Sequence, residues 1–399
     1  MRRPRLLVCS DTYPPQVNGV SVVTSLSVTG LITRGWDVAV AGPRYPAGVV
    51  NAFGSRGGLS DLSAHLTFPS TPLPFYPDLR LALPNVRSLA RLVEEFVPDV
   101  IHCATEFVIG RMGQHAARRA SIPMITSYHT DFSRYTVAYG VPWLRGPVNA
   151  HLVRFHRRAH RTLTPSAPAR DDLRVMGVPA VDVWGRGVEI ETFHPTRRSE
   201  ALRETYNSGD GFLFLHVGRI APEKGVEQIV AAFQLLQRRL PRQRMHLVIA
   251  GEGPRVEQVR ALAGGDHHIS FLGNLDRGSV LPQLYASADA FLFASLTETL
   301  GLVVLEAMSS GLPVVATPAG GVADHLRDGV NGLAFPESDV DAMSRAMERL
   351  VLDRALTATL ASGARATALD LSWDHELDRL DAILRQVAGV DSDGLRRSG

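Results

Sequence analysis

Six short apolar runs succeed one another over residues 212–336: "FLFLHVGR", "HLVIAGEG", "ISFLGN", "AFLFAS", "LPVVAT" and "GLAFP". Each is closed by a turn or polar residue, and the segments between them carry helical spacing. The first half of the chain holds the same pattern in "RLLVCS", "WDVAVAGP", "PDVIHCA", "PMITSYH" and "RTLTPS". Before Pro98, Leu89, Leu92, Val93 and Phe96 are spaced as one helix face. Strands that are apolar nearly throughout must be buried on both faces, which helices alternating with a parallel sheet provide. Two such series predict an α/β chain of two doubly wound domains. Length requires the same, because 399 residues exceed the roughly 250–300 at which a single core stops growing.

Domain boundaries follow from composition. Residues 1–185 form the first domain and 186–372 the second, joined through the polar stretch from "WGRGVEIETFHP" to Asp210. The amphipathic helix 373–388 is expected to pack back on the first domain. Residues Asn51–Pro84, rich in Gly, Ser and Pro and holding "STPLPFYPD", read as a surface loop region, and the final "DSDGLRRSG" as a disordered tail.

Several functional classes drop out early. A formal charge of +2 gives no bulk electrostatic case for a nucleic-acid partner. Cys9 and Cys103 each lie inside an apolar run, so they are expected as buried reduced thiols, with neither disulfide nor metal-ligand spacing. The apolar run after "MRRPR" is about five residues, short of the roughly 7–15 of a secretory signal. No run approaches the ~18 apolar residues of a membrane span, and the expected location is the cytoplasm.

One compositional fact is sharper. Of the 42 basic residues, a single one, Lys224, is lysine. It falls in "VGRIAPEKG", just after the first strand of the second series, with Arg219 on the same loop. Ligands of open α/β sheets bind at the carboxyl ends of strands. Two cations and a glycine turn at such a place read either as an anion cradle or as a pair of solvated surface charges, and the placing of the one lysine here favours the cradle.

The other strand ends complete the candidate set. "SDTYPPQVNGVSVV" follows the first strand, where the Asn18-Gly19 turn either lets backbone amides approach a phosphate or serves only to turn the chain. It contains no G-x-G-x-x-G, so a dinucleotide reading is weak. His129 ends "MITSYH", with Asp131 nearby, as an acid–base or oxygen-binding group or as a structural histidine. The loop Asn274–Arg277, which contains Asp276, can reach a base edge. "LTETL" then leads into the helix "GLVVLEAMSSG", stopped by Gly311 and Pro313. Glu298 lies before that helix and Glu306 about one and a half turns inside it. The amides of Gly301, Leu302 and Val303 at its start favour an anion. Glu298 can hold sugar hydroxyls, and Glu306 either accepts two neighbouring ribose hydroxyls or forms a structural salt bridge.

Taken together, "VGRIAPEKG", "ETLGLVVLEAMSSGLPVVAT" and "GGVADHLRDGVNGLAF" resemble the retaining glycosyltransferases of family 4, which have the GT-B fold. "SDTYPPQVNGVSVV", "SYHTDF" and "WGRGVEIETFHP" are similar to the branch of GDP-mannose-dependent α-mannosyltransferases and of glycolipid-forming sulfoquinovosyl- and glucosyltransferases. The resemblance implies two Rossmann-like domains facing across a cleft, the first for the acceptor and the second for the nucleotide sugar. It also implies roles: Arg219 and Lys224 on the donor diphosphate, Glu306 on the ribose, and Glu298 with the amides of Thr299, Leu300 and Gly301 on the donor sugar. His129 would lie under the sugar, and Gly19 would let its loop reach the phosphate, with Asn18 and Asp131 on the acceptor side. Asp276 would accept from guanine, which favours GDP-mannose over a UDP-sugar. Gly187-Val188-Glu189 stands where the family usually has Gly-Val-Asp.

The implied reaction is transfer of a hexose to a lipid or glycan acceptor with an α-glycosidic product. No cofactor or metal is expected, since the D-x-D patterns Asp339–Asp341 and Asp391–Asp393 fall at a helix start and in the tail. The basic segment His151–Arg161, with Arg154, Arg157, Arg158 and Arg161, reads either as a solvated helix face or as a contact for anionic lipid on the inner face of the cell membrane. Alternative readings are a UDP-sugar-dependent glycolipid glucosyl- or sulfoquinovosyltransferase, a nucleotide-sugar epimerase of the same fold, and a nucleotide-sugar-binding protein without turnover.

Overall fold

A computed structural model describes residues 2–16, 18–46, 61–73, 76–185, 187–206 and 211–390. The chain divides into two compact units: unit 1 is Met1–Thr130, Leu144–Gly185 and Asp374–Gly399, and unit 2 is Asp131–Trp143 and Arg186–Trp373.

Unit 1 is built on strands β1 (Arg5–Cys9), β2 (Asp37–Pro43) and β3 (Ala64–Phe68), the pair β4 (Ser70–Leu73) and β5 (Tyr76–Ala82), then β6 (Val100–Cys103), β7 (Met124–Ser127), β8 (Arg161–Thr164) and β9 (Val181–Val183). Seven of these form one parallel sheet in the order β3-β2-β1-β6-β7-β8-β9. Unit 2 carries β10 (Phe212–Val217), β11 (Met245–Ala250), β12 (Ile269–Phe271), β13 (Ala290–Phe293), β14 (Val314–Ala316) and β15 (Gly332–Ala334). They form a parallel sheet ordered β12-β11-β10-β13-β14-β15. In both sheets the order reverses beside the first strand, which opens a crevice at its carboxyl end.

Period-2 alternation explains the continuous apolar strands. On β10, Phe212 and Phe214 enter one buried cluster with Leu247 and Ile249, while Leu213 and Leu215 enter another with Val248 and Phe291. Cys9 and Cys103 are buried free thiols in the unit 1 core.

The helix Trp373–Ala388 belongs to unit 1 from Asp374 onward. Trp36 Nε1 donates to Asp381 Oδ1 at 2.6 Å, Arg34 Nε to Asp378 Oδ1 at 2.9 Å, and Trp184 Nε1 to the Glu376 carbonyl at 2.7 Å. Its approach needs Gly30, because a Cβ there would lie 2.3 Å from Leu377 Cδ1.

Three sequence expectations change. The surface-loop reading of Asn51–Pro84 gives way where described: β3 joins the main sheet and β4 pairs antiparallel with β5, so "STPLPFYPD" is largely strand. A two-stranded ladder leaves one edge of each strand unpaired, which tolerates the prolines that argued for a loop. Residues 51–60 and 74–75 of that segment lie outside the described residues. The basic segment 151–161 is not one helical face: the helix Arg145–His156 ends, and Arg161 opens β8, 3.6 Å from Asp182 Oδ2. Arg154, Arg157 and Arg158 remain exposed beside a hollow of about 550 Å³. The join is not wholly irregular, since the helix Glu200–Thr205 buries Arg203 against Asp289 at 2.9 Å. Arg186, residues 207–210 and the "DSDGLRRSG" tail with Asp391–Asp393 lie outside the described residues.

Candidate functional site

The densest chemistry of unit 2 gathers at the carboxyl ends of β10 and β13. The loop after β10 makes the 3-10 turn Pro222–Lys224 and reaches Gly225 at φ +63°, which starts the helix Val226–Arg239. A Cβ on Gly225 would meet the Ala294 carbonyl at 2.8 Å, so only glycine lets the turn close against the end of β13. That closure brings the two halves of the candidate site together. Lys224 Nζ forms an ion pair with Glu298 Oε1, and Arg219 pairs with the buried Glu223. Ser295 Oγ is shared, 2.8 Å from Glu298 Oε1 and 3.1 Å from the Glu223 carbonyl.

Glu298 is held at both ends. Its carbonyl accepts from the Gly321 amide at 2.7 Å, in the Gly320-Gly321 turn after β14. Burial works against its charge, yet Lys224, Ser295 and Arg219 together hold its pKa below the ordinary value. Behind it lies fully buried His216, whose Nδ1 is 3.0 Å from the Leu292 carbonyl. Burial, helped by nearby Lys224, lowers the His216 pKa to about 4, so its ring is neutral at pH 7.

The segment Leu302–Ser309 is helical, with Gly301 at φ +77° as its N-cap and no side chain capping it. A helix start without a side-chain cap presents its amides to an anion. Thr299 and Leu300 of the preceding loop are buried.

Glu306, 2% exposed, sits beneath this start. Arg277 Nη2 donates to its Oε1 at 2.6 Å, and the Tyr285 hydroxyl lies 3.2 Å from its Oε2. Arg277 also pairs with Glu189 through Nη1 and stacks over Phe193, its Cζ 4.9 Å from the ring centroid. Burial raises the Glu306 pKa, and Arg277 opposes the rise. Asp276, by contrast, is exposed, and its carboxylate accepts from Ser279 Oγ at 2.6 Å at the entry to the helix Val280–Ser287.

The segment Asp131–Trp143 contributes to unit 2 as well. Asp131 caps the helix Phe132–Ala138, accepting the Arg134 amide at 3.0 Å and pairing with its guanidinium at 3.1 Å. Arg134 Nη1 also donates to the Leu296 carbonyl at 3.1 Å. The phenol of Tyr135 is held well above its ordinary pKa, first by burial and then by Glu298 and Glu223.

Unit 1 places its candidates at the ends of β1, β6 and β7. Asn18 caps the helix Gly19–Thr33: its Oδ1 accepts the Ser21 amide at 2.8 Å and its Nδ2 donates to Thr12 Oγ1 at 2.8 Å. Gly19 is exposed, with open space where a Cβ would stand. Buried Asp11 receives Thr105 Oγ1 at 2.6 Å and the Ile109 amide at 2.8 Å. Three histidines gather beyond it. His102 Nε2 is 2.7 Å from Ser127 Oγ, and His156 Nδ1 is 3.0 Å from Thr126 Oγ1. His156 Nε2 also lies 3.4 Å from Glu106 Oε1. His129 is lowered to about 4 by burial and then by His156, and His102 to about 3 by burial and then by His129. Both rings are neutral at pH 7.

Arg219, Lys224 and Glu298 thus lie on neighbouring loops of one sheet, and the second loop leads into the Gly301 helix start and, within that helix, to Glu306. Cations and an uncapped helix start, interleaved with carboxylates, suit a ligand with both phosphate and vicinal hydroxyls. The sequence reading missed Ser295, Glu223, Tyr135 and the partnership of Arg277 with Glu189, which joins residues 88 apart in sequence. Asp339 and Asp341 are in structural use, the first as a helix cap and the second paired with Arg239 and Arg345. Among the described residues, Asp266, His267 and His268 are near enough to share a cation, at the amino end of β12 and away from these loops.

Residues 17–192 match the family of glycosyltransferases 4, and residues 198–367 the glycosyl transferases group 1. The chain is 33% identical to a GDP-mannose-dependent alpha-mannosyltransferase of Mycobacterium tuberculosis, over 96% of this chain and 97% of that one. It is 35% identical to the sulfoquinovosyl transferase SQD2 of Arabidopsis thaliana, over 76% of this chain and 60% of that one. Among solved structures, the Anabaena protein Alr3699/HepE in complex with UDP and glucose superposes with a TM-score of 0.76 at 20% identity, covering 96% and 99% of the two chains. The fold and these relatives define a glycosyltransferase of the GT-B type. More narrowly, the chain belongs to glycosyltransferase family 4.

Proposed function

We propose that this enzyme transfers a hexose, mannose from GDP-mannose, to a lipid or glycan acceptor, retaining the α configuration and using no metal. The observation that carries the reading is the ion pair Lys224–Glu298 beside the uncapped helix start at Gly301. The donor diphosphate would lie over the Gly301, Leu302 and Val303 amides, with Arg219 and Lys224 against it. Glu298 and the Thr299–Gly301 segment would take the sugar hydroxyls, and Glu306 the ribose. Full-length relatives named as GDP-mannose-dependent alpha-mannosyltransferases support the choice of donor.

Charge development gives the mechanism. As the glycosidic bond breaks, negative charge grows on the departing diphosphate, where Arg219 and Lys224 stand preorganised to receive it. Glu298, ionised and tied to Lys224 and Ser295, keeps the ammonium aimed without taking its proton. His129, neutral at pH 7, would offer the sugar a hydrogen-bonding ring without a competing positive charge. We favour a front-face route, in which the leaving phosphate accepts the acceptor's proton; a glycosyl adduct trapped on any side chain would refute it.

The test is thermal-shift screening against GDP, UDP and ADP sugars, followed by transfer assays on lipid extracts with the product anomer read by NMR. Stabilisation by GDP-mannose and an α-mannosyl product support the reading; turnover of donor without acceptor would indicate an epimerase. A second reading, a glycolipid-forming sulfoquinovosyl- or glucosyltransferase, draws on the 35% identity to the sulfoquinovosyl transferase. Exposed Arg154, Arg157 and Arg158 would hold the enzyme to anionic lipid. Salt-sensitive co-sedimentation with phosphatidylglycerol vesicles checks this, and no binding at low salt overturns it.

A further inference from the structure

We propose that Arg277 is a positioning residue which, clamped by Glu189, holds the Glu306 carboxylate charged and oriented for the ribose of the donor. The inference rests on the ribose role of Glu306 proposed above. Three contacts fix the guanidinium: Glu306 at 2.6 Å on one nitrogen, Glu189 on another, and the face of Phe193 4.9 Å below. A planar fork meets these demands together, and an ammonium does not.

The charge count separates this arrangement from a plain structural ion pair. With both carboxylates ionised, the two share one cation and the cluster carries a surplus negative charge around a glutamate that is 2% exposed. A fold gains nothing from such a surplus, because a buried pair is already no better than apolar packing. A ligand with adjacent hydroxyls does gain. Each Glu306 oxygen has one protein donor, Arg277 on Oε1 and Tyr285 on Oε2, and each keeps a second lone pair. Those two lone pairs match two neighbouring hydroxyls only while the group is ionised. Burial pushes Glu306 towards its neutral form, and Arg277 opposes it. Without the guanidinium, the carboxyl would take up a proton and turn one acceptor into a donor.

The test compares GDP and UDP with their 2′-deoxy counterparts by isothermal titration on the full chain, which separates a ribose effect from general loss of affinity. Wild type is expected to prefer the ribonucleotide by about tenfold or more, as for hydrogen bonds to a charged group. Arg277→Gln should bring that ratio to within about twofold, and Arg277→Lys, which keeps the charge but not the fork, to an intermediate value. Any ribose preference left in Arg277→Gln should also weaken at higher pH than in wild type. An unchanged ribose-to-deoxyribose ratio in a folded Arg277→Lys or Arg277→Gln protein overturns the inference. Absence of discrimination in wild type itself overturns the ribose role of Glu306, and the inference with it.

Discussion

The same topological position, the carboxyl ends of strands beside a reversal in strand order, is furnished in opposite ways in the two units. In unit 2 it holds charges that satisfy one another: Lys224 with Glu298, Arg219 with Glu223, and Arg277 between Glu189 and Glu306. In unit 1 charge is sparser: Asp11 is satisfied by Thr105 and the Ile109 amide, Glu106 faces His156, and His102 and His129 are kept uncharged first by burial and then by a neighbouring histidine, with Ser127 against His102. A charged donor needs countercharge waiting in place, and charge is cheap to bury only when paired. A neutral array asks less of the fold but titrates when acidified. The parallel sheet offers the position; the side chains decide whether it acts by field or by hydrogen bond.

The contrast can be broken at several points. Removing the ammonium with Lys224→Ala should cost the largest effect, a fall of about 10²–10³ in transfer rate, as for loss of one preorganised donor. Initial rates under saturating donor check it, and a loss below tenfold would mean that the charged array is not the catalytic one. Glu298→Gln should come next, lowering the rate by about tenfold or more while leaving Lys224 without its partner. Chemical unfolding would show that loss as well, since the lysine and glutamate side chains are only 14% and 16% exposed.

Acidification probes the neutral groups. Their folded pKa values, about 3 for His102 and about 4 for His129 and His216, lie below the ordinary histidine value of 6.5. The unfolded chain therefore binds the extra protons first. Stability contributed by these rings is complete above pH 6.5, falls as the pH drops, and stops falling near their folded pKa values. Each group supplies a slope of roughly 1 kcal/mol per pH unit inside that window. Glu298 has the same sign in a more acidic window: its pKa is also lowered, so its contribution is complete above the ordinary glutamate value of 4.5 and is lost as the pH falls below it. His216, a neutral ring within the charged unit, is the sharpening case: His216→Phe should remove one proton from the uptake measured on unfolding between pH 6.5 and 4. Smallest is Gly301→Ala, which forces a side chain to φ +77° for about 1 kcal/mol. A lowered midpoint in thermal unfolding reads it.

Much of the fold was legible because burial on both faces writes itself as unbroken apolar runs; β10, β11 and β13 are of this kind. Strand β9, only Val181–Val183 with an aspartate in the middle, carries too few residues for a pattern. The hairpin of β4 and β5 was hidden by prolines that a free edge tolerates. At the candidate site, residues displayed on one loop could be read locally, as with Arg219 and Lys224 or with Glu298 and Gly301. Asp276 and Arg277 mark the limit. They are adjacent in sequence, yet one caps a turn at the surface and the other is buried against residues 88 and 29 positions away. Which of two neighbouring polar residues turns inward is decided by partners that no local window contains.

The return of the C-terminal helix to Trp36 and Gly30 also sets an order of assembly. Its bonds to unit 1 span 344 and 345 residues, so that closure waits until both units' strands have been made. As the ribosome releases the polypeptide, the strands of unit 1 emerge first but lack the segment that covers Gly30 and binds Trp184. Unit 2 has nearly its whole complement once Trp373 is out. The half made first is finished last.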